Sequence, residues 1–190
     1  MDKMNYFSTP IWAQEKPEFV KSLNKVSNKY RKKTRTIKHD NDFLDFKNYI
    51  GQKSFEFLDS HGYDMNQYIP TFSEMWVQEF NKNNESYQSS HVNANQHVSG
   101  FYFLKCSDKT PYLIFHEPRA GARATKLTMK SSLSGVENGT DVIHIKPVSG
   151  TLIMFPGYLE HQFSVDYGIK PFRFIQWNIQ AIPKDMSNTL

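Results

Sequence analysis

The chain is short of the residues that staple or span. A single cysteine, Cys106, in 190 residues excludes an internal disulfide framework and any cysteine-built zinc site. No apolar run approaches the roughly 18–20 residues that cross a bilayer as a helix. The opening MDKMNYFSTP carries an acidic residue at once and no apolar core, so no signal peptide is expected there. Internal repeats and low-complexity tracts are also lacking. Acidic residues are outnumbered only slightly, 19 against 23 Lys and Arg, for a formal charge of +4. Part of that excess sits in Lys32–Lys38 (KKTRTIK), which reads as a solvated linker because no nucleic-acid reading motif accompanies it.

What the chain does have is aromatic bulk. Hydrophobic residues make up 38% and charged residues 22%, with 15 Phe and 10 Tyr. This is the composition of a globular chain with a β-rich interior. Its length suits a single domain over residues 1–190 with a proper core. Tyr6–Trp12 reads as a lead-in strand that Pro10 confines to an edge. Phe19, Leu23, Val26 and Tyr30 then form one amphipathic helical stripe. A second helix is expected to start near Asn41 or Asp42 and to end at His61-Gly62, weakened in the middle by Gly51.

From about Pro70 the pattern turns to strands. These are expected at Thr71–Phe80, Val98–Lys105, Tyr112–Phe115, Val142–Ile145, Thr151–Phe155 and Pro171–Ile182. Helices over about residues 1–65, then a β core over about 70–183, predict a mainly β double-sheet jelly roll packed by two N-terminal α-helices. The long polar stretch from Pro118 to Asp141 carries Arg119, Arg123, Lys126 and Lys130 and is a candidate lid.

The stretch QSSHVNANQHVSGFYFLK, from Gln88 to Lys105, holds the chemistry. On an extended backbone His91 and Asn93 point to one face and can reach one metal ion. His161 follows a second apolar strand, and Arg173 lies within another. A ligand pair spaced by one residue, a distant histidine and a later arginine are what a facial-triad iron oxygenase requires.

The blocks HVN…QHVSGFYFLK, YLIFHEPR, PVSGTLIMFPGYLEHQF and PFRFIQWNI, in that order, resemble the Fe(II)/2-oxoglutarate dioxygenase superfamily. More closely, they resemble small stand-alone 2-oxoglutarate oxygenases of bacteriophage genomes, relatives of prolyl 4-hydroxylases. The match runs from about Trp76 to Ile182, and the N-terminal helices fit only in kind. The resemblance implies a double-stranded β-helix fold, Fe(II) as cofactor and 2-oxoglutarate as co-substrate, with ascorbate an optional addition. It carries the metal ligands onto His91 and His161, which would be the catalytic residues, and the 2-oxoglutarate arginine onto Arg173. A tyrosine hydroxyl that prolyl hydroxylases turn to the co-substrate matches Phe103 here; Tyr112 on the next strand is the candidate replacement, with core packing as the other reading open for it. Trp76 and Gln78 border the same region.

The departure is at position 93, where the superfamily has a carboxylate and this chain has Asn93. Three readings stay open there. The amide oxygen binds the metal, the corner is filled by water or an anion, or another carboxylate or His97 completes the set. The activity implied is hydroxylation of a C–H bond coupled to decarboxylation of 2-oxoglutarate, with peptide or protein proline favoured as prime substrate and dioxygen as oxidant. The alternative is a metal-poor jelly-roll module that binds a ligand without turnover. A monomer is expected, in the cytoplasm (the host's, if the chain is viral), with neither nucleic acid nor membrane as partner.

Overall fold

Which face of a strand looks inward depends on how the nine strands among the described residues pair. The protein is described by a computed structural model covering residues 7–30, 36–81, 88–130, 135–167 and 169–185. In chain order come β1 (Trp12–Glu15), α1 (Glu18–Ser27), α2 (Leu44–Asp59), β2 (Tyr68–Phe80), β3 (Gln88–His91), β4 (Val98–Lys105) and β5 (Leu113–His116). Then follow α3 (Ala120–Ala124), β6 (Val142–Ile145), β7 (Thr151–Pro156), β8 (His161–Phe163) and β9 (Phe172–Pro183). They build a five-stranded sheet, β1-β7-β4-β9-β2, facing a four-stranded one, β3-β8-β5-β6. Every pairing is antiparallel. This is the expected jelly roll.

The sequence signals act locally as expected at the helices. Asp40 caps the turn at Asn41–Phe43 by accepting from Asp42 N, and α2 follows directly. It runs through Gly51 unbroken, because Phe46, Ile50, Phe57 and Leu58 anchor it to the core. Gly62 closes the segment in the left-handed region at φ +86°.

Two expectations shift. The lead-in strand is Trp12–Glu15 rather than Tyr6–Trp12; it does lie at a sheet edge, and Tyr6 is outside the described residues. The basic stretch is not wholly solvated either. Ile37 is fully buried and its amide donates to Met75 O, while Lys38 Nζ donates to Ser73 O. An apolar residue in a charged run is pinned because its burial outweighs the linker's freedom. Lys32–Arg35 lie outside the described residues.

The large sheet is buried on both faces. Its helix side carries Tyr102, Leu104, Leu152, Met154, Ile175, Trp177 and Ile179 against Phe43, Phe46 and Phe57. Its other side, turned to the small sheet, carries Phe80, Phe101, Phe103, Ile153, Phe155, Phe172 and Phe174. Residues alternate between these faces, apart from register shifts at Phe72/Glu74 and Phe103/Lys105, and that alternation decides the fate of the predicted site residues.

Candidate functional site

His91 and His161 stand directly opposite each other in the β3–β8 pair. Their ring centroids are 4.4 Å apart. Nδ1 of His91 lies 2.7 Å from Ser89 O, and Nδ1 of His161 lies 2.9 Å from Leu159 O. A carbonyl can only accept, so each Nδ1 must carry a proton, and in the neutral ring the lone pair stands on Nε2. His161 is 0% exposed and its Nε2 has no hydrogen-bond partner. A buried acceptor without a protein partner is free to take a ligand.

The surroundings of His161 keep it neutral. Phe155, Phe101 and Phe115 lie with ring centroids 4.7, 5.8 and 6.2 Å from its own. Burial among these rings pushes the imidazole down to about 4, with the nearby His91 adding in the same direction and the Leu159 carbonyl opposing. A neutral imidazole already free of its second proton is the form that binds metal.

Asn93 enters from the turn after β3. Its backbone N–H donates to Gly157 O at 2.9 Å, and Gly157 N donates back to His97 O at 3.3 Å. Gly157 is required there, since a Cβ would sit 2.3 Å from Gln96 O. The Asn93 amide donates through Nδ2 to Ser99 Oγ at 2.9 Å. No hydrogen bond among the described residues falls on its Oδ1. His97 is exposed, with its Nδ1 accepting from Ala181 N at 3.1 Å. Among the described residues no group of three His, Cys, Asp or Glu side chains could hold a metal. His91 and His161 are opposed in register, and the Asn93 amide oxygen is the neutral donor expected beside them.

Two assignments need correction. Arg173 is 0% exposed, but it shares its face with Ile175 and Trp177 and points to the helices. Its Nε donates to Glu79 Oε2 at 2.6 Å, and its Nη1 to Ser27 Oγ and Asn28 Oδ1 at 3.1 and 3.0 Å. The neighbouring interior positions of β9 are Phe172 and Phe174, so the arginine cannot serve a ligand beside His161. Tyr112 is 47% exposed on the outer face of the small sheet, near His144 and under Lys146 Nζ. Parity again explains it, because Leu113 and Phe115 take the interior.

What faces the interior beside the histidines is amide-rich instead. Cross-strand register puts Trp76, Gln176 and Phe101 in one row, and Glu74, Asn178 and Ser99 in the next. Gln88 Nε2 donates to Gln176 Oε1 at 3.3 Å, and Gln88 Oε1 is buried without a partner. Sequence reasoning named Trp76 but missed Gln88, Gln176, Asn178 and Glu74. Their one visible signal is the occurrence of Ser, Gln and Asn within apolar runs.

The candidate lid is tied to the back of the site. Glu160, next to His161, accepts from Ser90 Oγ at 2.7 Å and from Arg123 Nη1 at 2.6 Å. The Ser90 hydroxyl and the Arg123 charge hold its carboxyl below the usual range, against partial burial. Arg119 pairs with Glu117 and Lys126 with Asp141, so these cations are occupied. A cleft of about 480 Å³ opens between this loop and the start of β1, with Ile11, Phe115, Ile143 and Leu159 as its apolar wall.

The comparisons agree with this architecture. The family described as "Putative 2OG-Fe(II) oxygenase" matches residues 74–168, half of the chain. A Pseudomonas putida prolyl-4-hydroxylase shares the fold at 10% identity and a TM-score of 0.60, over 91% of this chain and 94% of that one. HygX from Streptomyces hygroscopicus, solved with nickel and 2-oxoglutarate, does so at 10% identity and a TM-score of 0.60, over 93% and 83%. A Trichoplax adhaerens prolyl hydroxylase, solved with a hypoxia-inducible-factor peptide, gives 12% identity and a TM-score of 0.55, over 90% and 83%. The chain spans about half the length of an oxidoreductase of the 2OG-Fe(II) oxygenase family from Burkholderia pseudomallei, at 48% of that chain. No curated protein sequence matches. No helix among the described residues is long and apolar enough to cross a membrane. With half of its length under the family's pattern and a jelly roll around a histidine pair, the chain belongs to the 2-oxoglutarate-Fe(II) oxygenases, dioxygenases that use iron and 2-oxoglutarate.

Proposed function

We propose that this chain is a prolyl-hydroxylase-like 2-oxoglutarate oxygenase acting on a peptide or protein substrate, with its metal on His91, His161 and the Asn93 amide oxygen. The observation that carries the reading is the opposed histidine pair with both Nδ1 atoms committed to carbonyls and the Nε2 of His161 orphaned. Fixing the far nitrogen of each ring sets its tautomer and aim before any ligand arrives. Iron with 2-oxoglutarate, when bound, supplies the oxidising chemistry of the family. The rings of Phe101, Phe115 and Phe155 keep water away from His161.

Arg173 being committed elsewhere, the groups offered to a carboxylate in this interior are neutral amides, chiefly Gln88 and Gln176. Such a seat holds an anion less firmly than a guanidinium fork. The cleft walled by Ile11, Phe115, Ile143 and Leu159 reaches residues that touch His161. Its apolar wall suits a proline ring, and the polar loop beside it suits a peptide backbone.

The test is consumption of 2-oxoglutarate by the purified protein with Fe(II) and ascorbate, with and without proline-containing peptides, beside His161→Ala. Turnover stimulated by peptide and lost in the variant supports the reading. Tight metal binding with no turnover under any peptide would leave the ligand-binding jelly roll as the function.

A further inference from the structure

The Asn93 amide begins a chain of hydrogen bonds that ends on a carboxylate. Asn93 Nδ2 donates to Ser99 Oγ at 2.9 Å, Ser99 Oγ donates to Asn178 Oδ1 at 2.8 Å, and Asn178 Nδ2 donates to Glu74 Oε2 at 2.9 Å. Ser99, Asn178 and Glu74 are cross-strand neighbours on β4, β9 and β2, so the sheet itself holds the row. Ser99 and Asn178 are buried, while Glu74 stands at the exposed end.

The direction of this chain is not free. An ionised carboxylate only accepts, so Asn178 must turn its NH₂ to Glu74 and its oxygen to Ser99. The single hydroxyl proton of Ser99 is then spent on Asn178, and Ser99 can only accept from position 93. An amide satisfies that demand. An aspartate cannot, because it would set acceptor against acceptor where the row meets position 93.

We propose that Glu74, acting through Asn178 and Ser99, is the positioning residue of the metal site, and that Asn93 is built in as a neutral ligand rather than left over from a lost carboxylate. The row fixes the amide so that Oδ1 is its free group, and each donated hydrogen bond moves electron density toward that oxygen. The negative charge that the family pattern has at position 93 is carried here at the rim of the sheet. This inference rests on the metal reading of the preceding section.

A double-mutant cycle on the metal-free protein tests the row without involving metal. Asn93→Asp should lower the urea midpoint at neutral pH. Adding Glu74→Gln should restore much of it, because the glutamine NH₂ can donate to Asn178 and the whole chain can reverse toward the aspartate. If Asn93→Asp is as stable as the parent, or if Glu74→Gln brings no relief, the directional row is wrong.

Anaerobic Fe(II) titration tests the link to the metal. Glu74→Gln should weaken binding by roughly tenfold, the lower end of what outer partners of metal ligands contribute. Asp59→Asn, which removes the same charge at the end of α2, should leave binding unchanged. Equal affinity in parent and Glu74→Gln, with His91→Ala and His161→Ala still abolishing binding, overturns this proposal alone. Retained binding in the histidine variants overturns the metal reading beneath it.

Discussion

Arg173 and Glu79 face each other across the β2–β9 pair with Arg173 Nε donating to Glu79 Oε2 at 2.6 Å, on the side of the sheet away from His161. Both side chains are almost fully covered, at 0% and 8% exposed. Removing one partner strands the other charge, which costs about 3–5 kcal/mol in such settings. Arg173→Ala should therefore lose that much stability in urea, and Arg173→Met with Glu79→Leu should recover most of it. The Fe(II) affinity of the folded protein should be unchanged in both, as measured by anaerobic titration.

Acid should act through His161. Burial holds its imidazole at about 4 in the folded chain, against about 6.5 when unfolded. Between those values the unfolded chain takes up a proton that the folded chain does not. Stability of the metal-free protein is thus complete above about pH 6.5 and falls as the pH drops toward 4, by about 3 kcal/mol across the window. Equilibrium unfolding at a series of pH values, with chelator present, should give that slope in the parent and a flatter one in His161→Gln.

Gly157 offers a way to disturb Asn93 without touching the aromatic interior. Gly157→Ala places a methyl group 2.3 Å from the Gln96 carbonyl oxygen, so the turn carrying Asn93 must move outward. Fe(II) affinity should fall at least about tenfold, while the near-ultraviolet circular dichroism of the core stays close to the parent's. Unchanged affinity would mean that the turn does not contribute to metal binding.

Cys106 should be chemically quiet. Burial pushes its thiol up to about 12, with Lys146 pulling weakly the other way. The thiolate is the reactive form, so iodoacetamide at pH 8 should label the native protein far more slowly than the unfolded one. Rapid native labelling would contradict that environment.

The strands that could be read from the sequence are those whose apolar residues stand close together in one short run. Val98–Lys105 and Val142–Ile145 are apolar runs between polar turns, and both are strands with those bounds. The short β3 and β8 carry the histidines but only four and three residues, too few to show a period. Arg173 was misread for another reason. β9 is covered on both sides, so Phe172 and Phe174 look as apolar as Ile175 and Trp177, and periodicity cannot say which set is inside. The Asn93–Ser99–Asn178–Glu74 row could not be read at all, since it joins residues up to 104 positions apart through pairing alone.

The alternation along β9 also makes its register against β2 and β4 decide which side chains line the chamber. Side chains on a strand change sides with every step, so a one-residue slip of β9 would turn Arg173 toward the small sheet and send Phe172 and Phe174 to the helical side. Glu79, Ser27 and Asn28 hold Arg173 on the helix side. The buried ion pair therefore opposes that slip, and a contact made outside the chamber guards its apolar lining.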